Sequence, residues 1–479
     1  MELDDYRAQA EQFTTEISRE GYLHFSGQKE DFEIEAIYDR HASLFSRDAV
    51  DELRGAGNRE LLEFAVQGLM GQETKVEEAE LARREASLEI EVAGEKIPLR
   101  QSPVVQANEP DAERRADIEH ARLDLSAREL TPLQVDVHER AAAITRELGW
   151  PSMLALCEEL SGIDLEALER QTDAFLASTE PIYEQVVEPE LERHLGFGFD
   201  RLRRSDIPAF FRAPDLDAAF PAEGAVEALR GTLAGLGIDL DAQPNVTLDA
   251  ESRPTKSPRA FCSPVRAPQE IYLVISPQGG RDDYEALMHE AGHTEHFAHV
   301  DPALSFERRQ LGDNSFTEAF AFLFQYLAHE PAWLEDVLRV DPDPIAGFAT
   351  ANKLIFLRRY AAKLAYERSL HADDKPLDTM ADEYAQRLSA AVHVEWPRET
   401  WISDVDPFFY SARYLRAWAT ERSLRAHLVE RFGERWFAEP AAGELLREIW
   451  GKGQRAHAEE LLAELGAPGV IDFEVLVPA

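Results

Sequence analysis

From residue 1 to about 85, apolar positions recur every three or four residues among Glu, Ala, Leu and Arg, with breaks at Gly21, Gly27 and Gly55 to Gly57. That spacing predicts amphipathic helices. The period then changes: Leu88, Ile90 and Val92 alternate with polar residues, Ala93-Gly94-Glu95-Lys96 can turn, and Ile97 and Leu99 resume the alternation. Residues 87–102 are therefore predicted as a small hairpin. Beyond Asn108-Glu109-Pro110 the helical period returns and runs to about 194, broken at Gly149-Trp150-Pro151 and at Pro181. Gly196-Phe197-Gly198-Phe199 and the Pro-punctuated 208–221 suit a hinge, so two lobes are expected: a helical N-terminal lobe, 1–205, and a second, 206–479.

In the second lobe a period of two marks Val246-Thr247-Leu248 and Ile271 to Ile275 as strands, the latter bounded by Pro268 and by Pro277-Gln278-Gly279-Gly280. A helix is predicted to start near 282, with Asp282 and Asp283 in its first turn, where carboxylates meet the positive end of the helix dipole. An almost wholly apolar helical run follows from Ser315 to Phe324, then turns at Pro331, Pro342 and Pro344 and a long helix over 348–370. Residues 393–410 are aromatic and Pro-bearing, 415–466 read as amphipathic helix, and a short apolar tail ends the chain. The predicted fold class is mainly α and two-lobed, with a small β-sheet beside the helix that starts near 282.

Composition narrows the function. With 479 residues, 44% of them hydrophobic, the chain can bury a sizeable core. No apolar run approaches membrane-spanning length, and Met1-Glu2-Leu3-Asp4-Asp5-Tyr6-Arg7 has no signal-peptide character, so a cytoplasmic protein with no membrane partner is expected. Cys157 and Cys262 are too few and too far apart for a disulfide framework or a thiolate metal site. Acidic residues outnumber basic ones 91 to 50, a net charge of −41, and this repels polyanions, which excludes nucleic acid as a general partner. Only eight of the 50 basic residues are Lys. Such a surface fits a high-salt cytoplasm, where screening removes the self-repulsion, and a halophilic protein is expected to lose its fold as salt is lowered.

The chemistry concentrates in His289-Glu290-Ala291-Gly292-His293. Histidines four apart on a helix share one face, one turn apart, and can close on one metal ion. Glu290, next to the first of them, can reach a water activated by that ion and take its proton. Gly292, a poor helix former, marks close approach of another backbone. A catalytic zinc usually takes three protein ligands. Glu318 is one candidate for the third, because a carboxylate in the apolar run 315–324 is costly unless it is paired or binds a metal. His299 is the other, six positions after His293, but His296 stands where that pattern needs Gly and no Met-turn follows. His296 falls on the same face as the metal-binding pair and can tune or gate the site. Tyr410 and Tyr414, again four apart, can both turn their hydroxyls to one site, or are two core aromatics.

His289-Glu290-x-Gly292-His293-x-x-His296 resembles the HExGHxxH signature of the M3 family of zinc oligopeptidases, which includes thimet oligopeptidase and oligoendopeptidase F. Glu318 stands where that family has its glutamate ligand. Ser252 to Cys262 is similar to the family's turn-rich approach to a substrate-lining strand, and Phe408-Phe409-Tyr410-Ser411-Ala412-Arg413-Tyr414-Leu415 resembles the F-Y-x-x-x-Y segment of the oligoendopeptidase branch. The resemblance implies a gluzincin with one Zn2+ per chain held by His289, His293 and Glu318, and Glu290 as general base. It also implies that Tyr414 and Tyr410 face the metal, that a deep channel admits the substrate, and that the substrates are short peptides. The chain departs from the family around Glu318, which lacks the following Pro-Ser, and before Tyr410, where the nearest histidine is His393. It therefore resembles a divergent branch, with no evident counterpart of the family's transition-state histidine. Two rivals stand beside the oligopeptidase: a zinc carboxypeptidase on a related scaffold, and a non-catalytic peptide-binding protein that keeps only the motif.

Overall fold

The computed structural model describes residues 2–454, 457–466 and 472–477. Helices dominate, and none of the described ones is long and apolar enough to cross a membrane. The contacts form two compact units, and they group the chain otherwise than by a single break at 205. One unit gathers Met1–Val66, Leu216–Ala346 and Arg413–Leu476; the other is built mainly from Gln67–Asp215 and Gly347–Ala412. Residues distant in sequence thus complete each core, which a reading along the chain does not contain.

The first unit carries the sheet and the helices that matter to the site: α1 (Leu3–Phe25), α2 (Arg281–Ala298), α3 (Asn314–Gln325) and, from Arg413 on, α4 (Tyr410–Phe432). In the second unit the expected hairpin is present, with β1 (Glu89–Val92) antiparallel to β2 (Glu95–Pro98). Ala93 and Gly94 both take positive φ, 53° and 84°, which is the mirror-image turn whose twist matches paired strands. Ile90, Val92, Ile97 and Leu99 bury one face of the hairpin against Ile118 and Leu130.

The sheet of the first unit has three strands, β3 (Val246–Asp249), β4 (Phe261–Arg266) and β5 (Glu270–Val274), in the order β3-β5-β4. β3 runs parallel to β5, with Val246 opposite Ile271, while β4 is antiparallel, with Cys262 opposite Leu273, so β4 forms an edge. One face of the sheet packs on α2 through Ala267, Ile271, Phe297 and Ala298. The other meets α1, where Tyr22 stacks on Tyr272 at 3.7 Å. The single helix expected over 415–466 is divided: α4 ends at Gly433, whose φ of 82° suits a helix stop, and Pro440–Trp450 and Ala458–Glu464 follow as separate helices. Most of the apolar tail lies outside the described residues.

Candidate active site

Two glycines with positive φ, Gly279 (85°) and Gly280 (94°), turn the chain from the sheet into α2. Asp283 closes the turn by accepting the N–H groups of Gln278 and of Gly279, the latter at 2.7 Å. The helix then presents His289 and His293 on one face, their ring centroids 4.9 Å apart. Gly292 faces α3. A Cβ there would come within 2.4 Å of the Phe320 carbonyl oxygen and 2.6 Å of the Ala321 Cα, so only glycine permits this backbone-to-backbone crossing.

The crossing sets the third donor. Asp313 caps α3 by accepting the Ser315 N–H at 3.0 Å, and the buried Arg416 of α4 holds that cap through Asp313 Oδ2 (2.8 Å) and Ser315 Oγ (2.9 Å). One turn on, Glu318 is 5% exposed. Its Oε2 lies 3.5 Å from His289 Nε2 and 3.7 Å from His293 Nε2. Among the described residues this is the one group of three or more potential ligands found, with all its donor atoms within 4.8 Å of one another.

Both rings are fixed from behind. His289 Nδ1–H donates to Gln325 Oε1 at 2.9 Å, and His293 Nδ1 pairs with the Thr317 hydroxyl at 2.8 Å. Each bond directs the other nitrogen, Nε2, toward Glu318, as outer-shell partners do at metal sites. Burial lowers the His289 pKa to about 4 and puts that of His293 well below the usual range, so both present neutral lone pairs. Two neutral imidazoles and a carboxylate converging in a buried space fit a divalent ion, and N,N,O donors suit zinc.

Glu290 lies beside the three potential ligands, anchored on the edge strand. Its Oε2 accepts the Cys262 N–H at 2.7 Å. Burial pushes its pKa up to about 8, opposed by the Cys262 bond and reinforced by the nearby Glu318 charge. This strand contact escapes sequence reasoning, although Ser252 to Cys262 resembles the approach to a substrate-lining strand.

The other predicted residues take distinct places. Phe322 of α3 meets His289 edge-on at 5.3 Å and lies 6.0 Å from the ring of Tyr414, which is half-buried on α4. Trp418 stacks on Phe322 at 5.2 Å and completes this aromatic wall. Tyr410 opens α4 one turn earlier, after Phe408 and Phe409 with positive φ of 51° and 53°, and its contacts place it in the second unit. His296 is not a gate: it is fully buried against Phe316 and Phe320, and burial lowers its pKa to about 3. His299 follows the end of α2, where its Nδ1–H donates to the Glu295 carbonyl at 2.9 Å and its ring lies by Trp450. The third member of the group is thus Glu318 rather than His299. Gln325 and Thr317 lie seven positions after and one before Glu318, an arrangement that only the helix crossing reveals.

No family model matches this sequence, and no curated protein matches it either. Its fold is similar to the crystal structure of a protein provisionally assigned as oligoendopeptidase F from Bacillus anthracis str. Ames, with a TM-score of 0.62 at 14% identity, covering 96% of this chain and 83% of that one. The chain has an oligoendopeptidase-like fold.

Proposed function

We propose that this protein is a zinc metallopeptidase of a divergent M3-like branch that hydrolyses peptide bonds in short peptides. The observation that carries the reading is the convergence of His289 Nε2, His293 Nε2 and Glu318 Oε2 beside a carboxylate, Glu290, that a strand N–H holds in place. His289, His293 and Glu318 would hold the ion. Zinc bound there supplies Lewis-acid polarisation of a carbonyl and makes water nucleophilic near neutral pH.

The chain's own groups do the rest. Glu290 accepts the proton of the attacking water and delivers it to the leaving amine. The Cys262 N–H keeps this carboxylate from turning toward the ligands. Tyr414, on the wall that also touches His289 through Phe322, donates its hydroxyl to the carbonyl oxygen as negative charge develops there.

Cleavage of internally quenched peptides by the wild type and by Glu290→Gln, both loaded with zinc in high salt, tests the reading. The wild type is expected to cleave and the variant to retain zinc while losing turnover by roughly a thousandfold or more. Undiminished cleavage by Glu290→Gln would refute the role of Glu290, and no cleavage by either would refute the peptidase.

A further inference from the structure

Four large apolar side chains are exposed among the described residues, and two of them, Phe25 (46%) and Phe32 (39%), are neighbours. Their rings meet edge-on at 5.4 Å, and the His24 ring stacks on Phe32 at 4.5 Å. Phe25 lies 6.4 Å from Phe261, the first residue of β4. The next residue is Cys262, whose N–H holds Glu290. An exposed aromatic cluster therefore continues directly into the edge strand that anchors the proposed general base.

The Phe25 end of the cluster is tied to the 253–257 segment. The Phe25 carbonyl accepts the Ser257 N–H at 2.7 Å, and the Ser26 carbonyl accepts from Arg253 Nη1 at 2.9 Å. Gly27, at φ 73°, lies so close to the 255–256 backbone that a Cβ would stand 2.8 Å from the Lys256 nitrogen. In a chain of net charge −41, fixing aromatic rings in water at this spot does nothing for solubility or for the core.

We infer that Phe25, Phe32 and Phe261 form a specificity subsite that receives an aromatic or large aliphatic side chain of an extended peptide lying along the approach to β4. The assignment rests on the peptidase reading for its substrate class and adds the side chain that the site selects. His24, stacked on Phe32 and edge-on to Phe25 at 5.1 Å, belongs to the same cluster.

The test uses pairs of short blocked peptides that differ only in Phe or Ser at one position, scanned along the peptide. Binding to zinc-loaded Glu290→Gln is measured by calorimetry, alone and combined with Phe25→Ser or Phe32→Ser, and cleavage is measured in the wild-type background. At one position Phe is expected to bind about tenfold more tightly than Ser, since burying the ring is worth that much. Either substitution should close most of this gap by raising KM while kcat stays within about twofold. Equal binding of Phe and Ser peptides at every position, or a preference unchanged in both variants, would overturn the subsite. So would light scattering in which the variants only dissociate a dimer, which would assign the patch to a second copy of the chain. Absence of cleavage by the wild type would count against the peptidase reading, while the binding comparison would still decide the subsite.

Discussion

The backbone of Gly292 lies against that of Ala321, and a Cβ on Gly292 would stand 2.6 Å from the Ala321 Cα. This contact brings Glu318 of one helix to the histidines of the other. In an open helix Gly→Ala stabilises by about 1 kcal/mol. Here the sign reverses: Gly292→Ala is expected to destabilise by about 1–3 kcal/mol through overpacking and to weaken zinc binding by separating α2 from α3. Calorimetric melting with parallel zinc titration checks both effects, and a raised Tm with unchanged zinc affinity would contradict the crossing.

Gln325 holds the His289 ring by accepting its Nδ1–H. Gln325→Leu keeps the apolar packing but leaves that buried N–H without its acceptor. Zinc affinity should fall about 10–100-fold, the usual effect of losing an outer-shell partner, with the melting curve changed much less. Competition with a chromogenic chelator reads the affinity directly.

Much of this site was legible along the chain because its signals are local. The spacing of His289 and His293, the apolar surroundings of Glu318 and the misplaced Gly292 each state a physical problem that a neighbouring residue type solves. The alternation at Ile90, Val92, Ile97 and Leu99 marks the hairpin in the same way. What could not be read depends on contacts between distant segments. The Cys262 N–H on Glu290 uses a backbone group that any residue but proline supplies, and Arg416 reaches Asp313 across 103 positions. Helical spacing alone puts His296 on the metal face, but it does not tell how α3 fills the groove with Phe316 and Phe320.

Glu285, one turn before His289, is predicted to make the fold acid-sensitive. Burial alone would raise its pKa, but the charge of Arg281 and the bond from His329 Nε2 at 2.6 Å outweigh it and hold the group at about 2, below its ordinary 4.5. A carboxyl depressed on folding stabilises the protein above its unfolded pKa and loses that contribution as pH falls through the folded value. Unfolding free energy should therefore drop by a few kcal/mol between about pH 4.5 and pH 2 on account of this group. Glu285→Gln should be less stable at neutral pH and show a flatter acid limb. Parallel denaturant titrations in the same salt compare the slopes, and identical slopes would contradict the assignment.

The most direct test of the central claim is the metal content of the protein purified in high salt, by elemental analysis of the wild type and Glu318→Ala in parallel. The wild type should carry about one zinc ion per chain, and the variant should lose it or hold it far more weakly, because three converging donors become two. Zinc held undiminished by Glu318→Ala would show that this carboxylate is not a ligand, and a wild type that binds no zinc would contradict the metal centre itself.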